Sequence, residues 1–305
     1  MEPESPVQRS RSGIDAGLLA TAIVAVSFAA ILARWTEASA LVLAFWRTFG
    51  GGLLLAPRAR LGRPGSWAAS RAEAGWILVG GAALALHFWS WLESLNRTSV
   101  AVSVTLVTTT PFFVAAVEWA RGRRLAWQSQ AALVVAMAGV VTLAASSSGT
   151  EAPSGLTGSH SSGVILALVG AIAMAVYLLA GSRLRATMSA SNSAAPTFLT
   201  AGIGLGLAAL VTGVNVFDLR SLDWLIVAAM ILGPQLGGHA VLSHLLGRLD
   251  TMTISLALLA EPVVSTALAW ILLSERPTST ALIGALIVVT GLALRTLDPR
   301  IGARS

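Results

Sequence analysis

Ten stretches of mostly apolar residues, each about twenty residues long, follow one another along this sequence. An α-helix needs about 20 apolar residues to cross a bilayer. Lipid offers no hydrogen bonds to the backbone, so long apolar runs of this kind must be helical. The sequence therefore predicts an all-α membrane protein with ten transmembrane helices. The predicted spans are residues 14–33, 38–56, 74–95, 100–120, 125–145, 163–182, 196–214, 224–244, 253–273 and 280–297.

The composition points to the same class of protein. Of the 305 residues, 55% are hydrophobic and 11% are charged, whereas an ordinary soluble domain has about 25% charged residues. There are no cysteines, which excludes disulfides, zinc–thiolate sites and a cysteine nucleophile. We expect neither a metal nor a cofactor.

The basic residues predict the orientation of the chain in the membrane. All 20 are arginines, and they occur in short clusters between the apolar runs. With the N-terminus in the cytoplasm, 15 lie in cytoplasmic segments and 4 in external loops, while Arg47 lies within a span. Positive residues favour the cytoplasmic side, so both termini are predicted there. We interpret the clusters as topology signals and expect no nucleic-acid partner.

The first span follows two arginines, as in a secretory signal peptide, and a cleavage site at residues 38–40 is an alternative. Its apolar run exceeds the roughly 7–15 residues of a signal peptide, so we predict a retained helix.

A Ser/Gly-rich segment at the midpoint separates five spans from five. It predicts a cytoplasmic tail at 1–13, a first five-helix unit at 14–145, a periplasmic linker at 146–162, a second unit at 163–297 and a cytoplasmic tail at 298–305. An odd number of spans in each unit gives the two units opposite orientations.

Landmarks in the two units have similar spacing. Arg97 precedes Pro111 by 14 residues, and Arg248 precedes Pro262 by 14. Further on, Arg124 and Gly139 are 15 apart, as are Arg276 and Gly291. Residue identity is otherwise low, so chance is the alternative. The spacing predicts an inverted repeat, the architecture of many secondary transporters.

Several segments together resemble the EamA-type branch of the drug/metabolite transporter superfamily. They are LAFWRTFGGGLLL in the second span, NRTSVAVSVTLVTTTPFFVAAVEW and GRRLAWQSQAALVVAMAGVV in the fourth and fifth, AMAVYLLAGSRL in the sixth, and LLAEPVVSTALAWILLSERPTSTALIGALIVVTGL near the end. The resemblance implies an exporter of small metabolites or amino acids in a bacterial-type inner membrane, driven by protons or another gradient. It also implies a central cavity with the fifth and tenth helices peripheral.

The chain departs from that family at two places. Arg123 stands where the first repeat usually has an acidic residue, although Glu275 keeps it in the second. The Trp-Gly pair common in the first helix is absent.

Two charged residues lie near the middle of predicted spans, Arg47 in the second and Glu261 in the ninth. Charges inside a membrane are costly and indicate function by default. We predict that both take part in substrate binding or proton coupling. The alternatives are an arginine that anchors helix carbonyls and a protonated, hydrogen-bonded carboxyl.

Helix breakers occur in three spans. Pro262 follows Glu261 and should free the carbonyl of Leu258, and Pro111 should kink the fourth span. Gly233 and Pro234 are predicted to break the eighth. We expect all four to act as hinges, with purely structural bending as the alternative.

His87 and His239 occupy nearly equivalent positions in the two repeats. Histidine titrates near neutrality, so both are candidates for proton coupling or substrate contact, unless they are structural. Trp89, Trp91 and Tyr177 are candidates for lining the cavity, where aromatic rings bind flat or cationic solutes. If they face lipid, they have no such role.

These features predict a secondary transporter that works by alternating access. Its expected partners are a small-molecule substrate and the lipid bilayer, and a homo-oligomer is possible. A channel or a non-transporting receptor is an alternative. An intramembrane enzyme is a weaker one, because no span has an interior aspartate and no HExxH zinc motif occurs.

Overall fold

The computed structural model describes residues 6–61, 69–145, 160–274 and 276–296. These residues form helices and connecting turns with no β-strand. The helices are α1 (Pro6–Arg34), α2 (Ala40–Leu61), α3 (Arg71–Leu95), α4 (Val100–Val107), α5 (Thr110–Ala120), α6 (Trp127–Ala145), α7 (His160–Arg185), α8 (Ala190–Thr212), α9 (Ser221–Met230), α10 (Val241–Leu245), α11 (Thr251–Ala257), α12 (Glu261–Leu273) and α13 (Ser279–Thr296). A π-helix, Ile231–Ala240, joins α9 to α10, and a 3₁₀ turn, Leu258–Ala260, joins α11 to α12.

The predicted fold class is confirmed. Eight continuous or composite helices among the described residues are long and apolar enough to cross a membrane. Two shorter apolar helices, Trp127–Leu143 and Ser279–Leu294, correspond to the fifth and tenth predicted spans. Most of the predicted linker 146–162, the tail 298–305, the start of the tail 1–13 and Glu275 lie outside the described residues.

The helix starts follow from local capping chemistry. The Ser70 hydroxyl accepts a hydrogen bond from the Glu73 N–H, and the Ser70 N–H donates to the Glu73 carboxylate at 2.8 Å. Ser99, Ser189 and Asp250 cap α4, α8 and α11 with their side-chain oxygens. Each cap satisfies a backbone donor that the first helical turn leaves unpaired, so the chain re-enters the membrane at a defined residue.

The fourth and ninth spans are both interrupted near their middle. In the fourth, α4 ends at Val107 and α5 begins at Thr110, with Pro111 in its first turn. In the ninth, the 3₁₀ turn lies between α11 and α12, and Pro262 is again in the first turn of the second segment. Proline is well tolerated there because the first turn has no internal partner for its N–H. The two interruptions are therefore equivalent features of the two repeats.

One detail of the predicted kink at Pro262 is wrong. The carbonyl of Leu258 is not free, because it accepts a hydrogen bond from the N–H of Glu261. The chain tightens into a 3₁₀ turn, whose i to i+3 bonds use the carbonyls that an α-helix would leave open.

The eighth span also differs from its prediction. Gly233 and Pro234 do not break it, since the chain continues through the ten-residue π-helix. Wider π turns accommodate residues that an α-helix would exclude, and they often occur at functional sites. Pro234 is buried within this segment.

The packing of α6 against α13 shows the relation between the repeats. A Cβ atom added to Gly139 would lie 2.5 Å from the backbone nitrogen of Val288, and one added to Gly291 would lie 2.5 Å from that of Ala136. Gly139 and Gly291 are 152 residues apart, and so are Ala136 and Val288, so the two contacts are equivalent under exchange of the repeats. Backbones this close require glycine at both positions.

The polar contacts between helix ends show which loops share a face of the bundle. At one end, Thr36 donates to Asp223 at 2.7 Å and Arg220 pairs with Glu37 at 2.9 Å. At the other end, Arg248 pairs with Asp15 at 3.1 Å. Each of these three contacts joins the first half of the chain to the second. The first pair of contacts joins loops predicted to be external. The other contact joins a loop predicted to be cytoplasmic to the cytoplasmic start of the first predicted span.

The core lies between the central helices. The larger apolar cluster draws on α1 to α4 and α7 to α11, and a smaller one on α5, α6, α7, α11 and α13. Large apolar side chains on the outer surface remain exposed, as lipid contact requires. Tryptophans near helix ends are among them, namely Trp35, Trp76, Trp119, Trp127 and Trp224.

Candidate functional site

A small cavity lies at the centre of the bundle, between helices of both halves. Its volume is about 30 Å³, which is room for a water molecule or two and not for a metabolite. In this conformation the cavity is therefore too small to hold a metabolite. The lining residues are Val26, Ala29, Arg47, His87, Phe88, Trp91, Val107, Thr108, Thr110, Met174, His239, Leu258 and Glu261.

Arg47 is held deep in the bundle by neighbours on two other helices. Its side chain is 1% exposed. Its Nε donates to the Gln235 side-chain oxygen at 3.2 Å, and its guanidinium carbon lies 3.8 Å from the centre of the Phe88 ring. A cation over an aromatic face is stabilised by the negative charge of that face, so Phe88 replaces part of the lost hydration.

Glu261 reaches the same cavity from the opposite repeat. It is the first residue of α12 and follows the 3₁₀ turn directly, so the interruption of the ninth span sets its position. Arg47 and Glu261 interact electrostatically. Among the described residues, no ion pair within 4.0 Å joins either of them to a partner. The two opposite charges therefore face one cavity without closing on each other.

The two repeat-related histidines meet at this cavity. The rings of His87 and His239 are 6.1 Å apart between centroids. The Nδ1 of His87 lies 2.9 Å from the carbonyl oxygen of Gly170, so it carries the hydrogen and leaves Nε2 as an acceptor. His239 packs edge to face against Phe88 at 4.8 Å.

Of the three aromatic candidates, two belong to this cluster. Trp91 lines the cavity and stacks parallel to His87 at 6.4 Å, and the buried Tyr177 ring is 6.1 Å from His239. Trp89 lies instead on the outer surface, with 37% of its side chain exposed. Residues four apart share a helix face and residues two apart do not, which places Trp91 beside His87 and turns Trp89 away.

The predicted hinges lie around the cavity rather than in it. Pro111 and Pro262 are buried one position after Thr110 and Glu261, which line it. Thr110 is the repeat equivalent of Glu261, and its hydroxyl donates to the carbonyl of Val107 at 3.0 Å. The acidic group is therefore present in one repeat only.

Gln235 is the residue that sequence reasoning missed. It is fully buried in the π-helix, and its side-chain oxygen holds Arg47. Its side-chain amide, in the run ILGPQLGGHA, is a polar group inside a membrane span. The rule that such groups indicate function could therefore have identified Gln235 from the sequence. Phe88, which follows His87 in the sequence, is a further lining residue.

Several buried nitrogens around the cavity have no hydrogen-bond partner within the described part of the chain. They are Nη1 of Arg47, Nε1 of Trp91, Nε2 of Gln235 and Nδ1 of His239. A buried donor without a partner costs about 1–3 kcal/mol. Arg47 and Trp91 line the cavity with N–H donors, and the His239 Nδ1 there donates or accepts according to its tautomer. The site therefore offers donors to an acceptor group and also has one carboxyl. No three His, Cys, Asp or Glu residues among those described are grouped to hold a metal.

Comparison with known proteins agrees with this architecture. A family model described as the EamA-like transporter family matches residues 11–145 and 161–297. No curated protein matches the chain. A solved crystal structure superposes with a TM-score of 0.72 at 22% sequence identity, over 94% of this chain and 98% of the other. At that identity the likeness shows a shared fold alone.

Proposed function

Since this chain belongs to the EamA-like transporter family, we propose that it exports a small metabolite by alternating access through the central cavity. It is a multi-pass membrane protein of the drug/metabolite transporter superfamily. Residues 14–145 and 163–297 are proposed as the two inverted repeats, which rock against each other around the cavity. The arginine distribution supports a bacterial-type inner membrane with both termini cytoplasmic.

The single observation that carries this proposal is that Arg47 and Glu261, one from each repeat, line the same small cavity without forming an ion pair. Two buried charges that face each other without an ion pair can each hold an oppositely charged group of a solute. Arg47 and Trp91, which line the same cavity, would hold a carboxylate, and Glu261 would hold an ammonium group. A zwitterion such as an amino acid fits both needs, and it would complete the hydrogen bonds of the unpaired donors.

Glu261 is also the proposed proton-coupling group. A carboxyl that faces the two sides of the membrane in turn can release a proton on one side and take one up on the other. Solute and proton would then compete for the same carboxyl, which links export of one to import of the other. Thr110 cannot ionise, so this coupling belongs to the second repeat alone.

The interruptions of the fourth and ninth spans supply the movement. Both lie at the level of the cavity, and a proline follows each. The half-helices on either side can tilt without breaking regular α-helical hydrogen bonds, because those bonds are already absent there. We propose that opening at these points enlarges the cavity from its closed volume to one that admits a solute.

The test is proton flux in proteoliposomes that contain a pH-sensitive dye, with a mixture of the proteinogenic amino acids as the probe. Wild-type protein should couple solute movement to proton movement. In Glu261→Gln the solute-dependent proton flux should fall about tenfold or more, because the substitution removes the titrating group. Glu93→Gln is the matched control, since Glu93 pairs with Arg97 near the surface. Near-normal coupled flux in Glu261→Gln at equal protein levels contradicts the coupling role.

Counterflow separates a carrier from a channel or a receptor. Preloaded unlabelled amino acids should accelerate entry of the labelled mixture, because a carrier returns faster when it is loaded. Downhill flux without this acceleration would favour the channel, and no flux at all would favour the receptor.

A further inference from the structure

A second cavity, of about 520 Å³, opens at one end of the bundle. It lies between the end of α5, the turn before α6, the end of α7 and the start of α11, so both halves of the chain contribute. The volume is typical of a ligand site. The lining residues are Glu118, Arg121, Arg123, Arg124, Leu125, Leu179, Ser182, Arg183, Asp250, Thr251 and Met252.

This cavity is strongly basic. Four arginines and two carboxylates line it, which leaves a formal charge of +2. Glu118 is shared by two of the arginines, with 3.2 Å to Arg121 and 3.2 Å to Arg123. One carboxylate thus offsets two guanidinium groups.

The second carboxylate, Asp250, accepts hydrogen bonds from the first turn of the helix that it caps. Asp250 accepts hydrogen bonds from the backbone N–H of Thr253 at 2.9 Å and from its hydroxyl at 2.5 Å. Arg124 lies in the turn before α6 and Arg183 near the end of α7. No carboxylate of the described chain is within ion-pair distance of either. These two guanidinium groups are available to a ligand.

We propose that this cavity binds a phosphate-bearing anion, either the headgroup of an acidic phospholipid or a soluble phosphate compound. Guanidinium groups bind phosphate through paired, charge-assisted hydrogen bonds. The site lies at helix ends, and the exposed Trp127 begins the helix that follows Arg124, as expected at the level where headgroups meet a membrane protein. Basic pockets between helices at that level suit acidic lipids.

The experiment measures lipid and phosphate binding to the full-length protein. Native mass spectrometry would follow titration with phosphatidylglycerol, with phosphatidylcholine as the zwitterionic comparison. A parallel titration would use sn-glycerol 3-phosphate. The site variant combines Arg124→Gln and Arg183→Gln in one protein. Arg58→Gln with Arg71→Gln removes the same charge at the same end of the bundle, outside this cavity, and is the control.

The site variant should bind the anionic probe about 30-fold more weakly than wild type, and the control variant should bind it nearly as wild type does. If the site variant loses binding of phosphatidylglycerol only, the cavity is a lipid site. If it loses binding of glycerol phosphate only, the ligand is soluble. Loss of both identifies the phosphate group itself as the determinant.

A second variant changes the affinity in the opposite direction. Glu118→Gln releases Arg121 and Arg123, and it should tighten binding of the same probe about fivefold. Equal binding by the site and control variants, with no gain in Glu118→Gln, overturns the proposal. This readout does not depend on transport, so it stands or falls separately from the central cavity.

Discussion

The guanidinium carbon of Arg47 lies 3.8 Å above the ring of Phe88, an aromatic residue on the neighbouring helix α3. An arginine at the middle of a membrane is thereby stabilised without a salt bridge. A buried ion pair would lock both charges together, whereas a ring and an amide hold the cation and leave part of it free. Under the proposed function, this arrangement keeps Arg47 available to a solute.

Replacement of Phe88 by leucine should remove this support. Phe198 is also fully buried in the same core and is the matched control for lost packing. Phe88→Leu should lower the free energy of unfolding by about 1–2 kcal/mol more than Phe198→Leu, because a desolvated cation–π contact contributes about that much. Reversible unfolding in mixed micelles measures both variants, and equal losses would show that the contact adds nothing.

Gln235 should be needed for the position of Arg47. Gln235→Leu leaves the Arg47 Nε without its acceptor, which should lower stability by about 1–3 kcal/mol and reduce amino-acid counterflow. Gln235→Glu restores an acceptor and should recover stability. Gln128→Leu, near the start of α6, is the control. Full counterflow in Gln235→Leu would mean that Phe88 alone positions the guanidinium.

The two central histidines should tolerate enlargement poorly. His87→Trp and His239→Trp would fill a cavity of about 30 Å³, so each should impair counterflow. His244 lies near the end of the eighth span and away from the cavity, so His244→Trp should impair it less. All three proteins should be compared at equal amounts in proteoliposomes. Equal tolerance at all three positions would reduce His87 and His239 to packing residues.

The close contact of α6 with α13 should depend on glycine. Gly139→Val would place side-chain atoms against the backbone of Val288 and Gly284, and overpacking of this kind costs about 1–3 kcal/mol. Gly204→Val is the control, since an added Cβ there meets nothing within 4 Å. Thermal unfolding in detergent should show a lower midpoint for Gly139→Val only. A shift of the same size in both would point to a general effect of valine on these helices.

The arginine distribution predicts the topology directly. Reporter fusions after Arg71, Arg124, Arg185 and Arg304 should be cytoplasmic, and a fusion within 146–162 should be periplasmic. A cytoplasmic reporter in 146–162 would contradict the inverted arrangement of the repeats.

The number of spans and their order could be read from the sequence because each helix in lipid must satisfy its own backbone. That requirement is local and leaves a run of apolar residues about twenty long. The intramembrane charges Arg47 and Glu261 were visible for the same reason, since any polar group in such a run stands out. The equivalent prolines and histidines followed from their spacing in the two repeats.

Other features depended on contacts between residues far apart in the chain. The π-helix that brings Gln235 to Arg47 has no local signature, because its wider turns are stabilised by packing on other helices. The free Leu258 carbonyl was predicted from proline chemistry alone, but the chain closed it with a 3₁₀ turn. Helical periodicity puts Trp91 and Trp89 on different faces of α3, but only the packing of that helix decides which face meets the cavity. Sequence determined which groups lie in the membrane, and tertiary structure decided which of them meet, because helix rotation is set by side-chain packing between helices rather than by hydrophobicity.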